Sequence, residues 1–350
     1  MKIHDLEFLL AAVAQGESHA PTRSLLVRIT TASGLEGWGE SSLGWRVGEL
    51  APRREALLAV LAGRSVFDIE ELHTLEVLSP APLRSAIEMA VWDLLGRVLR
   101  QPLCNLLGGY YRRRVPVSIR LTGCHPKNIA QISREMAEQG FHTQTIATAG
   151  RPDEDLKSLA AIREMVGDRV ELRLDGQRHF DMEAARDLCA GLEFEDLQFF
   201  LDPLNAPELH ALASLGRQTS VPLAAWRAIR GPGDVLTAVR CSAAPFVEID
   251  LEQVGGIVPA RACAAVAAAA GIVPVLGGKT SLGIAAAAML HVAAATTAFS
   301  TSNEIASRQL RDSVLTDSFE IADGMMVVPQ SPGLGVEVDR TKLERHQATT

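Results

Sequence analysis

The chain has 350 residues, 47% of them hydrophobic, which is enough to bury a full core and to form two domains. Its 34 basic and 42 acidic residues give a net charge of −8 without basic patches interleaved with aromatic residues, so nucleic acid is excluded as an expected partner. Five widely spread cysteines, none in a Cys-x-x-Cys pair, predict a reducing cytoplasm and argue against a structural zinc site.

Neither the start of the chain nor its most apolar stretch predicts a membrane partner. The start, Met1 to Asp5, carries charges where the apolar run of a signal peptide would develop. The most lipid-like stretch, 262–276, is interrupted by Gly271 and Pro274 and is too short to span a bilayer. The sequence therefore predicts a cytoplasmic protein that does not bind membranes.

The pattern of apolar residues divides the chain. In the first hundred residues, the alternation over Leu25–Thr31 predicts a strand and the run 56–61 opens a helix, so we expect a small α+β domain over residues 1–112. From Val115, short apolar strands alternate with helical patterns, which is typical of parallel βα units over 113–322. The eight predicted strands are Val115–Leu121, Thr143–Thr148, Val170–Asp175, Gln198–Leu201, Leu223–Trp226, Phe246–Asp250, Val273–Leu276 and Phe299–Ser302.

Eight such units predict an α/β barrel, in which functional groups lie at the carboxyl ends of the strands. Several ordered motifs then resemble the mandelate racemase and muconate-lactonizing branch of the enolase superfamily. These motifs are Gly37–Glu40, Ser85–Gly96, Gln101–Gly109, Val254–Ile257 and Pro332–Asp339. The resemblance implies a (β/α)8-type barrel of the (β/α)7β variant under an N-terminal α+β capping domain, with a C-terminal segment, 323–350, returning to that domain.

The resemblance also implies a chemistry, namely removal of a proton next to a carboxylate by a Lys or His base. A magnesium ion held by three acidic ligands stabilises the enolate, since a hard cation is the strongest counter-charge available to such an anion. The implied activities are those of an isomerase, a cycloisomerase or a dehydratase acting on a carboxylate substrate.

The metal-ligand positions implied by the resemblance are largely replaced. Asp175 ends the third strand at the first ligand position, but Leu201 stands at the second, one residue before Asp202. Trp226 and Arg227 stand where the family has acidic residues at the fifth strand, and a cation there repels a metal ion. We therefore expect no metal and no cofactor, with magnesium only if this alignment is misread. An ion pair of Asp175 with Arg227 is the simpler alternative, and the two side chains should approach each other across the barrel mouth.

The base implied by the family is also missing. No lysine lies between Lys127 and Lys157, so the second strand has no lysine base in any register. Asp250, at the end of the sixth strand, is a candidate for proton transfer or simply for an ion pair, and the loop after the seventh strand has no histidine to pair with it. The loop histidines His125 and His179 could face the mouth, but such residues are more often solvated or capping.

The loop after the seventh strand resembles an anion cradle. Gly277, Gly278, Lys279 and Thr280 precede a predicted helix, whose N-terminal amides and the ammonium group favour negative charge. The spacing is not that of a Walker motif, and Lys279 could instead pair with Asp250.

Two functional hypotheses follow, beside a third possibility of a conventional isomerase whose ligands are misread through an alignment error. The first is a member that has lost magnesium-dependent proton abstraction and binds a small carboxylate or phosphorylated ligand through Arg227, Lys279, Gly278 and Thr280. The second is an active isomerase, cycloisomerase or dehydratase with an altered or metal-free site, in which Asp250, Asp175 and Arg227 are the candidate catalytic residues. The residues leave open whether the chain is an enzyme. The resemblance implies a homo-oligomer, since barrels of this family commonly associate.

Overall fold

Alternating apolar residues build a three-stranded antiparallel sheet at the amino terminus. Its strands are β1 (Ile3–Gln15), β2 (His19–Thr31) and β3 (Glu36–Ser41), paired in that order, with Phe8 opposite Val27. The computed structural model describes residues 1–15, 19–122, 125–278, 280–305 and 313–348.

The remaining elements alternate as the βα pattern predicts. The later strands are β4 (Arg114–Pro116), β5 (Ile119–Leu121), β6 (Thr143–Ala147), β7 (Glu171–Asp175), β8 (Leu197–Leu201), β9 (Leu223–Ala225), β10 (Phe246–Asp250), β11 (Val273–Gly277), β12 (Ile321–Ala322) and β13 (Met325–Val327). The helices are α1 (Val47–Leu61), α2 (Ile69–Leu72), α3 (Ala81–Leu99), α4 (Leu103–Leu106), α5 (Pro126–Glu138), α6 (Pro152–Val166), α7 (Met182–Leu192), α8 (Leu209–Gly216), α9 (Pro232–Cys241), α10 (Leu251–Val254), α11 (Ile257–Ala269), α12 (Ile284–Ala295) and α13 (Arg340–His346).

Strands β5 to β11 form one curled parallel sheet in chain order, so their carboxyl ends all lie on the same side. This is the barrel-type α/β architecture that the sequence predicts. The first predicted strand, Val115–Leu121, is split in two. Its beginning, β4, joins a small antiparallel sheet with β13 and β12, and its end, β5, opens the parallel sheet.

The prediction of an eighth strand over Phe299–Ser302 is wrong. A single parallel bridge between Val117 and Asn303 replaces this strand, because the backbone pairs with the neighbouring strand over too short a distance to form a ladder. The Asn303 amide donates to Pro116 O at 2.9 Å, and the Glu304 amide donates to Leu276 O at 2.8 Å. Residues 303–304 therefore connect the two edges of the sheet, and they bring Glu304 to the mouth.

The capping sheet packs on α3 through two glycines. A Cβ atom at Gly37 would lie 2.2 Å from Ala90 O, and one at Gly39 would lie 1.9 Å from Ala86 O. Only glycine lets strand and helix backbones approach this closely, which explains the Gly37–Glu40 motif. The C-terminal chain also returns to this sheet, since the Ala348 amide donates to Leu10 O at 2.8 Å. The boundaries at 112 and 322 stay predictions.

We expect Gly39→Ala to lower the free energy of unfolding by about 1–3 kcal/mol, because the new methyl group overlaps helix backbone that cannot move aside. Gly44→Ala is the matched control, since a Cβ there meets no atom within 4 Å. Urea denaturation of both variants checks this, and equal midpoints would contradict it.

Among the described residues no helix is long and apolar enough to cross a membrane.

Candidate functional site

Charged side chains from several strands converge inside the mouth of the curled sheet. Positions two apart on one strand face the same side, so Arg173 and Asp175 point inward together, as do Glu248 and Asp250. The charged residues in and around the mouth are Arg120, Arg173, Asp175, Asp202, Arg227, Glu248, Asp250 and Glu304.

Asp175 is held between two guanidinium groups. Its side chain is 1% exposed; Oδ2 contacts Arg120 Nη1, and Oδ1 lies 3.8 Å from Arg227 Nη1. The Gln177 amide also donates to Oδ1 at 2.9 Å. The expected approach of Arg227 to Asp175 is therefore present, but the shorter contact belongs to Arg120, which the sequence did not single out.

Arg120 connects two buried carboxylates. It lies on β5, its Nε donates to Glu304 Oε1 at 2.6 Å, and its side chain is 17% exposed. Burial lowers the pKa of its guanidinium, but the charges of Glu304, Asp175 and Glu248 outweigh burial and raise it. Arg120 is thus a permanent cation at the centre of an acidic environment.

Glu248 is a third carboxyl group at this centre. Burial raises the pKa of Glu248 well above its ordinary value, and the neighbouring charge of Glu304 raises it further. Glu248 Oε1 and Glu304 Oε2 are buried and find no hydrogen-bond donor among the described residues. Gly277 makes room for Glu248, since a Cβ there would lie 2.3 Å from Oε1. Burial without a hydrogen-bond donor thus favours the neutral form of this carboxyl group over the charged form.

Arg173 lies deeper and is held mainly by neutral groups. It is 1% exposed, donates to Gln198 Oε1 at 2.5 Å and Ser302 O at 2.8 Å, and stacks over Phe199 with 4.8 Å from Cζ to the ring centroid. Burial lowers its pKa, and Glu304, Glu171 and Glu248 partly oppose this. Arg173 contributes a second fixed positive charge.

Arg227, after β9, also pairs with Asp202, which directly follows β8. Arg227 Nη1 lies 3.0 Å from Asp202 Oδ2, which also accepts from the Arg227 amide at 2.9 Å, while the Trp226 amide donates to Oδ1 at 3.0 Å. Asp202 has a φ of 40°, so the chain turns at once after β8 and directs this carboxylate toward β9. Burial raises the pKa of Asp202, and these amides and Arg227 oppose the shift.

The residues at the implied metal positions do not fit a three-acid site. Leu201 and Trp226 are buried in an apolar cluster with Phe199, Ala224 and Val275 and supply no carboxylate oxygen. Both oxygens of Asp175 already face guanidinium groups. Within the described part of the chain, no three Asp, Glu, His or Cys side chains converge where a metal ion could be held.

The structure describes three of the four remaining predicted site residues, namely Asp250, Gly278 and Thr280. Asp250 Oδ1 accepts from the Glu252 amide at 2.9 Å and so caps α10. A Cβ on Gly278 would lie 3.2 Å from the Asp250 carboxyl group, which places this glycine beside it. Thr280 is described, but Lys279 lies outside the described residues, so the anion cradle stays a prediction.

Sequence reasoning missed Arg120, Arg173 and Glu248, and could not place Glu304. The available signal was the two-residue alternation within strands, which puts Arg173 with Asp175 and Glu248 with Asp250 on one face. No local pattern places Arg120 beside Asp175, because the two are 55 residues apart and meet only in the curled sheet.

Comparison with known proteins decides the family. Residues 128–342 match the enolase C-terminal domain-like family, and residues 12–108 match the mandelate racemase / muconate lactonizing enzyme N-terminal domain. The chain belongs to this family. It is 26% identical over 343 residues to an N-succinyl-L-Arg/Lys racemase of Bacillus cereus, covering 93% of this chain and 91% of the relative.

A second relative is muconate cycloisomerase 1 of Rhodococcus opacus, 28% identical over 331 residues, which cover 90% of this chain and 88% of the relative. The crystal structure of N-succinyl Arg/Lys racemase from Bacillus cereus superposes with a TM-score of 0.91 at 24% identity. That match covers 99% of this chain and 98% of the racemase, and at this identity it establishes the fold.

Family membership corrects one expectation from the sequence. The expectation of no cofactor is wrong, because the homologues of this mandelate racemase/muconate lactonizing family protein are magnesium-dependent enzymes. Leu201 and Trp226 stay the positions at which the resemblance implies that acidic ligands are replaced.

Proposed function

We propose that this family member has lost magnesium-dependent proton abstraction and binds a small carboxylate or phosphorylated ligand at the mouth of the barrel. The observation that carries the proposal is the placement of Arg227, a guanidinium group, at the end of β9, where the resemblance implies an acidic residue. A cation there favours an anionic ligand directly and disfavours a metal ion that would bridge to it.

Arg227 has the geometry for such a ligand. Its side chain is 25% exposed, and its guanidinium stacks on Trp226 with 4.2 Å from Cζ to the ring centroid. Its hydrogen bonds and ion pairs with described side chains use Nη1 alone. Nε and Nη2 can therefore meet a carboxylate in the bidentate arrangement that a planar fork prefers.

Calorimetric titration tests this proposal. Succinate, an N-succinylated amino acid and inorganic phosphate are titrated into wild type, Arg227→Met and Arg230→Met; Arg230 is a far more exposed arginine on the same loop. We expect Arg227→Met to weaken carboxylate binding by at least about tenfold, the loss of one charged hydrogen-bonded contact, and Arg230→Met to leave it unchanged. Equal binding by all three proteins, or binding by none of them, rejects the proposal.

The second candidate is an active isomerase, cycloisomerase or dehydratase with an altered site. The racemase and cycloisomerase relatives support it, as does a buried carboxyl group, Glu248, with a raised pKa. Incubating carboxylate substrates with the protein and magnesium in D2O separates the candidates. Deuterium incorporation beside the carboxylate supports the second and rejects loss of proton abstraction.

The proposal includes a cytoplasmic location and assembly into a homo-oligomer. Cys104, Cys189, Cys241 and Cys263 are free thiols, which agrees with a reducing cytoplasm. A homo-oligomer without nucleic acid or membrane partners remains our expectation, and light scattering in solution would check the oligomeric state.

A further inference from the structure

A cavity of about 420 Å³ is lined by the capping domain and the C-terminal segment that returns to it. Its apolar wall is formed by Leu10, Leu43 and Trp45, which belong to the core of the capping domain or pack against it. Ala348 of the C-terminal segment also lines it. Among the described residues, none from the parallel sheet or from the loops at its carboxyl edge contributes to this lining. The cavity is therefore separate from the site around Arg227.

Trp45 is a fixed wall of this cavity. Its ring meets Phe8 edge-on, with 5.3 Å between the ring centroids, and Arg53 lies over it with 4.4 Å from Cζ to the centroid. Glu49 holds Arg53, with 2.9 Å between Oε1 and Nη2, and its Oε2 accepts from the Arg46 amide at 2.9 Å. An aromatic side chain held in this way offers apolar surface to a ligand at little cost in conformational entropy.

Two arginines without counter-ions line the same cavity. Arg23 and Arg46 are exposed, and neither forms an ion pair with a described residue. Further along β2 and α1, by contrast, Arg28, Arg53 and Arg54 each contact a carboxylate. In a protein with a net charge of −8, two unpaired guanidinium groups beside an apolar wall favour an anionic ligand.

We propose that this cavity binds an organic monocarboxylate with an aromatic body, its carboxylate held by Arg23 and Arg46 and its rings against Trp45. The volume lies within the range of small-molecule sites, about 300–1,000 Å³. A carboxylate suits this pair because a guanidinium group can donate two parallel hydrogen bonds to it. The inference goes beyond the proposed function, since this cavity shares no residue with the anion site at the barrel mouth.

A ligand in this cavity contacts segments that are far apart in the chain. Leu10 lies on β1, Arg23 on β2, Trp45 in the loop before α1, and Ala348 near the C-terminal end. Because these segments are together only in the folded protein, a ligand that binds them raises the thermal midpoint as its concentration rises.

Calorimetric titration with naphthoate, naphthylmethanol and acetate tests the inference. Every protein carries Arg227→Met, so the anion site proposed at the mouth contributes no heat. The alcohol keeps the rings without the charge, and acetate keeps the charge without the rings. We therefore expect naphthoate to bind at least about tenfold more tightly than either, and to raise the thermal midpoint.

Additional substitutions locate the ligand. Arg23→Met and Arg46→Met should each weaken naphthoate binding by at least about tenfold, because each removes a charged hydrogen-bonded contact. Arg240→Met is the matched control, an exposed arginine in the last turn of α9, and should leave binding unchanged.

The inference is overturned if naphthoate does not bind the Arg227→Met protein, or if acetate or naphthylmethanol binds as tightly as naphthoate. Equal naphthoate binding by the Arg23, Arg46 and Arg240 variants also overturns it. Failure of the anion site proposed at Arg227 would leave these outcomes unchanged, since that arginine is absent from every protein compared.

Discussion

Asp93→Ala is expected to lower the free energy of unfolding by about 3–5 kcal/mol, the cost of breaking a buried ion pair and leaving its partners unpaired. Asp93 is 1% exposed and accepts from the amides of Trp38 at 2.9 Å and Leu334 at 2.7 Å. Arg97 Nε also lies 3.1 Å from it. One carboxylate thus connects the capping sheet, α3 and the C-terminal segment.

The measurement is urea denaturation at pH 8. Burial raises the pKa of Asp93 to about 6, so the group is ionised there. The matched control is Asp339→Ala, which also removes a carboxylate that accepts two backbone amides, those of Thr341 and Lys342, but at a solvent-exposed helix start. That loss should be about 1 kcal/mol, typical of a helix N-cap. If both variants lose the same stability, burial is not what makes Asp93 important.

Glu248→Gln is expected to become more stable relative to wild type as the pH rises. Burial and the charge of Glu304 raise the pKa of Glu248 in the folded protein, while Arg120 and Arg173 oppose this and Asp175 adds to it. The folded protein therefore binds more protons than the unfolded chain above the ordinary pKa of glutamate. The stability that Glu248 contributes to the wild-type protein is therefore lost as the pH rises from the ordinary pKa of glutamate to the raised pKa of the folded protein. The loss is at most about 1.4 kcal/mol per pH unit.

Unfolding curves at pH 5, 6, 7 and 8 test this expectation. A glutamine keeps the shape of a protonated carboxyl group and cannot ionise, so the difference between variant and wild type should grow with pH. Glu138→Gln, on the exposed face of α5, is the control and should run parallel to wild type. A pH-independent difference for Glu248→Gln would show that Glu248 is not protonated in the folded protein.

Local sequence determined the family and the barrel-type fold, and it predicts that Leu201 and Trp226 replace two acidic ligands. The Gly37–Glu40 motif is recognisable in the sequence because its two glycines must lie against α3. The short apolar strands can be predicted because parallel strands are buried on both faces. The identities at 175, 201 and 226 follow directly from strand ends. The approach of Asp175 and Arg227 was also predictable, because the carboxyl ends of all the strands in one parallel sheet lie along the same edge.

Only the tertiary structure decided how the charges pair. Arg120 reaches Asp175 and Glu304, which are 55 and 184 residues away in the chain, because the sheet curls until its first strand lies beside residues 303–304. The same closure shortens the predicted eighth strand to one bridge, which no periodicity could reveal. The raised pKa of Glu248 depends on burial among these distant charges, and burial is a property of the assembled barrel rather than of any segment.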